Sequence, residues 1–168
     1  MKCIKKLVAL TLAAVLALTM LTACGGTPSV PEVTDEVKQI VDDINAVRTE
    51  NGLSALEINT AAMDVAQKEL ALQEKDELKL ISAENFRKEW MELSAVKVDG
   101  RSRCGHDAKS GASVSDIDMS KDYWQGMYNM NNMDFGACRI VRNAEAKYVG
   151  VAMKQLSNGK YLAIVETY

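Results

Sequence analysis

Tyr148-Val149-Gly150-Val151-Ala152-Met153, then Ser157-Asn158-Gly159, then Lys160-Tyr161-Leu162-Ala163-Ile164-Val165: this stretch decides the fold. Two runs rich in β-branched and aromatic residues flank an Asn-Gly pair, the strongest short-range signal for a β-hairpin. The elements before it are helical. Thr34 or Asp35 is placed to cap a first helix in which Val37, Ile40, Val41, Ile44 and Val47 recur at helical spacing, with Lys38, Gln39, Asp42, Asp43 and Arg48 on the outward side. Asn51-Gly52 ends it, and Leu53 to Ile58 reads as a short extended connection. Thr60 caps a second helix with Met63, Ala66, Leu70 and Ala71 inward and a charged end over 73–79. Ser82 caps a third, with a stripe of Phe86, Trp90 and Leu93. From Ser94 to Asp122 the periodicity is lost, and glycines, serines and aspartates read as a long loop region with room for short strands. Cys138-Arg139-Ile140-Val141 fits either a strand or a short helix. Helices followed by a terminal hairpin indicate an α+β domain with helices packed on an antiparallel sheet.

The front of the chain sets its address. Lys2, Lys5 and Lys6 precede an apolar run from Leu7 to Leu21, the charged-then-apolar order of an export signal and short for a membrane span. Leu21-Thr22-Ala23-Cys24 resembles the lipobox of bacterial lipoproteins. That resemblance implies cleavage before Cys24, acylation of the new N-terminal cysteine, and a protein held by lipid on the extracytoplasmic face of the cell membrane. The chain then divides into a signal at 1–23, a flexible tether at 24–33 containing Gly25, Gly26, Pro28 and Pro31, and one domain at 34–168. Without the three signal lysines the remainder carries 17 basic and 23 acidic residues, a net charge of −6. No basic block is present, which disfavours nucleic acid and anionic lipid as partners.

With Cys3 in the signal and Cys24 acylated, Cys104 and Cys138 are left as a pair for a disulfide in a compartment where such bonds persist. The bridge would close a loop of roughly 34 residues and contribute on the order of 3–4 kcal/mol.

Ile44-Asn45-Ala46-Val47-Arg48-Thr49-Glu50-Asn51-Gly52-Leu53 resembles the opening N-x-x-R-x-x-x-G-L helix of bacterial CAP (SCP/PR-1-like) domains. Val98-Asp99-Gly100-Arg101-Ser102-Arg103-Cys104 resembles a D-G-R-S turn of the same family, and Lys147 to Ala152 its late strand. The resemblance implies an α-β-α sandwich with a cleft that often holds two His and two acidic residues. This chain departs from it: Ala95 and Ala137 stand near the positions of the cleft histidines, and Ala83-Glu84-Asn85-Phe86 precedes the turn that the family's Glu-Asn segment follows. The chain has one histidine, so a two-His metal site within one copy is excluded and no metal or other cofactor is expected.

His106 is the one group suited to proton transfer near neutrality. Its neighbours Cys104 and Asp107 permit a dyad on paper, but residues two apart seldom present nucleophile and base correctly. Asp116, Asp118 and Asp122 lack the order of an EF-hand, and no G-x-S-x-G elbow occurs. Tyr123, Trp124, Met127, Tyr128, Met130, Met133 and Phe135 form the densest aromatic and methionine cluster. Core packing explains its i,i+4 spacing, while the interleaved asparagines favour an exposed ligand surface at Tyr123, Trp124 and Tyr128. The expected function is a non-catalytic binding module on a lipid anchor, with an envelope protein or cell-wall glycan as partner. The alternative is an envelope hydrolase whose cleft is rebuilt around His106 and a nearby carboxylate.

Overall fold

A computed structural model describes residues 33–168; the signal, Cys24 and nearly all of the tether lie outside the described residues. The elements are α1 (Asp35–Glu50), β1 (Glu57–Ile58), α2 (Thr60–Glu77), α3 (Ala83–Ser94), β2 (Lys97–Val98), β3 (Arg101–Ser102), β4 (Gly105–Gly111), a 3₁₀ turn (Ser115–Ile117), α4 (Lys121–Met130), α5 (Gly136–Arg142), β5 (Tyr148–Gln155) and β6 (Tyr161–Thr167). The α+β class read from the sequence is the one observed. The sheet runs β1-β5-β6-β4, antiparallel except for the two-residue β1, which lies parallel to β5.

The hairpin forms where Asn158-Gly159 places it. Gly159 takes a φ of +85°, which frees the turn to close through its amide on Leu156 O. Strand alternation then sorts the side chains. Val149 and Val151 of β5 and Ala163 and Val165 of β6 face a core built with α1, α4 and α5. Ala152, Leu162 and Ile164 face α2 through Ala66 and Leu70. Helices therefore cover both faces, an α-β-α arrangement. Gly150 lets α2 start close against β5, because a Cβ there would collide with the backbone of Ala62.

Two local readings change and one left open is decided. Asn59, not Thr60, caps α2, accepting from the amides of Ala61 and Ala62. The region from Ser94 to Asp122 is less loop than expected: Asp99-Gly100, both at positive φ, turns the β2–β3 hairpin, and β4 pairs with β6 over seven residues. The stretch around Cys138 is helix α5.

Arg48 is the largest correction. Its charge suggested an outward position, yet it is fully buried. Nε donates to Ser54 O at 2.9 Å, Nη1 to Ile140 O at 2.8 Å and Asn143 O at 3.1 Å, and Nη2 to Ala146 O at 3.4 Å. One turn earlier Asn45 brackets Leu56, its Nδ2 donating to Leu56 O and its Oδ1 accepting from Leu56 N. These two side chains give the N-x-x-R spacing its physical meaning: one helix face holds the connection that delivers β1 to β5. Replacing Arg48 with Met leaves four carbonyls without their donor and is expected to cost about 3–5 kcal/mol, read from the urea midpoint. A loss under about 1 kcal/mol would show that the carbonyls find other donors.

Candidate functional site

His106 lies on β4 directly opposite Glu166 of β6. Alternation puts Glu166 on the face of Leu162 and Ile164, toward α2, where Glu69 follows Ala66 by three residues on the inward stripe. Both carboxyl groups are fully buried, and the His106 side chain is 25% exposed. His106 Nε2 stands 2.6 Å from Glu69 Oε1. Arg103 Nη1 donates to Glu69 Oε2 at 2.8 Å and to Glu166 Oε1 at 3.0 Å, while Nη2 donates to Ser94 Oγ at 2.5 Å. Trp90 of α3 donates its Nε1 to Glu69 Oε1 at 3.1 Å, meets the His106 ring edge-on and lies under the Arg103 guanidinium. Tyr168 Oη donates to Glu166 Oε2 at 2.5 Å. Gly136 admits β4 at this point, since a Cβ there would collide with the carbonyl of His106.

Burial, reinforced by its hydrogen bond with Glu69, pushes the Glu166 carboxyl up to about 8. Burial works on Glu69 in the same direction, but hydrogen bonds with His106 and Glu166 and the Arg103 charge outweigh it and hold Glu69 down to about 2. At neutral pH the two carboxyls thus share one proton, carried mainly by Glu166. The Tyr168 hydroxyl is driven upward by burial and by Glu166, so it stays a donor.

Ligand-type atoms of Glu69, His106 and Glu166 lie within 4.8 Å of one another, a spacing a cation can span. Arg103 already bridges both carboxylates, however, and a divalent ion would have to sit against its guanidinium. The donor set fits an organic cation supplied by the chain itself better than a metal. A carboxyl titrating near 8 is tuned for acid–base work, yet its oxygens are committed to Arg103, Tyr168 and Glu69. Among the described residues every buried side-chain nitrogen and oxygen has a partner. Four surface grooves, of about 260, 320, 430 and 550 Å³, are lined by other residues.

The remaining sequence candidates scatter. Trp124 is fully buried with its indole donating to Met119 O, so it offers nothing to a ligand. Tyr123 is tied to Asp107 through its hydroxyl at 2.7 Å and covered by Lys109, and Tyr128 packs under Arg142. Of the expected three-residue surface, Trp124 is core, and Tyr123 and Tyr128 are partly buried against it. The exposed part of that cluster is Met130, Met133 and Phe135. The expected Cys104–Cys138 bridge is not formed: both thiols are free, Cys104 directed at Thr167 and Cys138 at Met130. Ala95 is exposed at the end of α3, whereas Ala137 is packed into the core. Asp107 turns to Tyr123 and away from His106, which removes the Cys104–His106–Asp107 arrangement. Glu69, Arg103 and Glu166 escaped sequence reasoning, although two acidic residues at inward stripe positions were a usable sign.

The shared proton has a consequence for stability. Between the ordinary 4.5 and about 8, native Glu166 holds a proton that the unfolded chain has lost, so its contribution falls as pH rises through that window. Glu69 has the opposite sign: its contribution is complete above 4.5 and is lost as pH falls toward about 2. The parent is expected to lose stability between about pH 5 and pH 8, and Glu166→Gln, which cannot ionise and keeps a donor for Glu69, is expected to flatten that loss. Urea midpoints at both values test this; parallel declines in the two proteins would refute the shared proton.

No protein-family model matches this chain, and no curated protein matches it. Among solved structures it is similar to an outer surface protein from Borrelia burgdorferi, at a TM-score of 0.47 and 15% identity, over 81% of this chain and 93% of that one.

Proposed function

We propose that this chain is a non-catalytic binding domain held by a lipid on Cys24 at the extracytoplasmic face of the cell membrane, related to the CAP domains and without their metal site. The observation that carries the non-catalytic part is the closure of the His106 cluster: its two carboxyls, arginine and indole are engaged with one another and line none of the four grooves described above. The lipobox-like Leu21 to Cys24 supports the anchor, and no helix among the described residues is long and apolar enough to cross a membrane. The Asn45 and Arg48 contacts and the helices on both sheet faces support the CAP relation. The groove between α1 and the 3₁₀ turn, about 320 Å³ and floored by Ile40, Ile117, Met119 and Met153, has the size and apolar lining of a ligand site. The partner in this reading is another component of the envelope, protein or glycan.

A second reading has one observation in its favour. The quarter-exposed His106 touches a carboxylate that can orient its ring, the pairing a hydrolase would need.

Two measurements separate these claims. Expressed with its signal, the protein is expected in the detergent phase of a Triton X-114 partition, and Cys24→Ala in the aqueous phase or uncleaved; an unchanged acyl-bearing mass in Cys24→Ala would reject the anchor. Wild type is expected to show no turnover of ester, peptide or peptidoglycan substrates. Turnover that vanishes in His106→Ala and persists in Cys104→Ser would establish the hydrolase instead.

A further inference from the structure

We infer that the groove beside α1 receives the α4–α5 turn of a second copy of this chain, with Phe135 as the inserted side chain. The inference rests on the reading of that groove as a ligand site and names its occupant. Two surfaces are left uncovered, and each has what the other lacks. The first is the groove of about 320 Å³ floored by Ile40, Ile117, Met119 and Met153. Its α1 wall is the stripe Glu36, Gln39, Ile40 and Asp43, at i, i+3, i+4 and i+7, and its other lip includes Val114, 46% exposed. The second is the turn after α4, which begins at Asn131 with a φ of +52°. There Met130, Met133 and Phe135 stand 50%, 42% and 56% exposed. Three large apolar side chains exposed on one short turn exceed the scattered single exposures of an ordinary surface.

Charge selects a second copy as the occupant. The groove is lined by three carboxylates, Glu36, Asp43 and Asp118, and by no basic residue. None of the three is in an ion pair among the described residues. The Lys109 ammonium beside Asp118 is taken by the Asp118 carbonyl oxygen at 2.8 Å and by the Tyr123 ring. The turn has the opposite balance, since the chain from Met130 to Arg142 carries Arg139 and Arg142 against Asp134 alone. Arg142 is engaged with Tyr128. Arg139 is exposed and ties the turn down by donating its Nε to Met133 O, while its Nη groups have no partner among the described residues. An apolar tip with a free guanidinium beside it thus matches an apolar floor with a carboxylate rim. One copy cannot fill its own groove. The groove reaches Ser120, just before α4, and the turn follows Met130 at its end, so a helix of ten residues, about 15 Å long, holds them apart. A contact of this size is weak in solution, and copies held on one membrane gain from the higher effective concentration.

The test uses the mature chain from residue 24 with Cys24→Ser, in reducing buffer, by sedimentation equilibrium from about 10 µM to about 1 mM. The mean mass of the wild type is expected to rise with concentration, and the association to weaken at least tenfold between about 0.05 and 0.5 M salt. Phe135→Asp, which spoils the tip, and the double variant Asp43→Arg with Val114→Lys, which spoils the rim, are each expected to be monomeric with near wild-type urea midpoints. An equimolar mixture of the two combines one intact groove with one intact tip, so it is expected to form a 1:1 complex. A wild type that stays monomeric across the range overturns the inference and leaves the groove to another ligand. A mixture that stays monomeric while the wild type associates overturns it as well, and so does association that Phe135→Asp leaves intact. Association lost in Phe135→Asp but kept in the groove variant would go further: the tip then docks elsewhere, and the groove reading loses its support along with the inference.

Discussion

Arg48 is the interaction on which the arrangement of elements depends. A buried guanidinium with no carboxylate beside it must be solvated by something, and this chain uses backbone carbonyls from Ser54, Ile140, Asn143 and Ala146. Burial lowers its affinity for the proton, but a guanidinium stays charged throughout the accessible range. Its charge therefore has to be met wherever the chain folds. Three of the four carbonyls lie at or just beyond the C-terminal end of α5, where unsatisfied carbonyls and the helix dipole both favour a cation. The fourth belongs to the connection leading to β1. Meeting the charge thus locks α1 to α5 and sends the chain toward β5. The position of α5 in turn brings Gly136 against β4 and sets where His106 can stand.

The opposite face of the sheet solves the burial of charge differently. Glu69 and Glu166 arrive from α2 and β6 with full side-chain burial, and two ionised carboxylates so close would repel strongly. The structure lowers the cost in two ways, by keeping one proton between them and by laying Arg103 across both. The sum of one carboxylate, one carboxylic acid and one guanidinium is neutral, which is the condition for leaving such a group in a low-dielectric interior. Helix α3 depends on that neutrality. None of its residues is fully buried, and its firmest contacts run from Trp90 and Ser94 to Glu69 and Arg103. A helix held this way is tied to the protonation of a pair it does not contain.

The hairpin, the α1 stripe and the α3 stripe were legible because type and position agree there: apolar residues stand where the period needs them. β4 was not. Gly105-His106-Asp107-Ala108-Lys109-Ser110-Gly111 contains no β-branched residue, and it becomes a strand because β6 offers it a full set of backbone partners at the sheet edge. The buried charges failed for the converse reason. Arg48, Glu69 and Glu166 occupy inward positions of their elements, but residue type argued for water, and only the three-dimensional partners outweigh that argument. The aromatic cluster divided in the same way. Trp124 found a carbonyl for its indole and went inside, while Met130, Met133 and Phe135, at the end of α4 and on the turn after it, had no element to pack beneath. The cysteines carried no positional signal at all, since each faces a neighbour that sequence separation does not reveal.

Where a binding site of the proposed kind would reside follows from these two solutions to buried charge. A site that recognises a partner needs polar groups with unspent hydrogen-bonding capacity facing a surface that a partner can enter. Both charged centres offer little of this, because every buried side-chain nitrogen and oxygen in them has already been matched within the chain. Opening either one would strip a guanidinium of its carbonyls or its carboxylates, and the gain from a ligand would first have to replace those contacts. The groove beside α1 carries no such penalty. Its floor is aliphatic and sulfur-bearing, and its rim holds Glu36, Asp43 and Asp118. Asp118 is held below the usual carboxylate range by its hydrogen bond from Ser120, so it keeps its charge further into acid than an ordinary aspartate. The surface that costs least to occupy is therefore apolar in its depth and anionic at its edge, and it lies on α1, the first helix of the described residues.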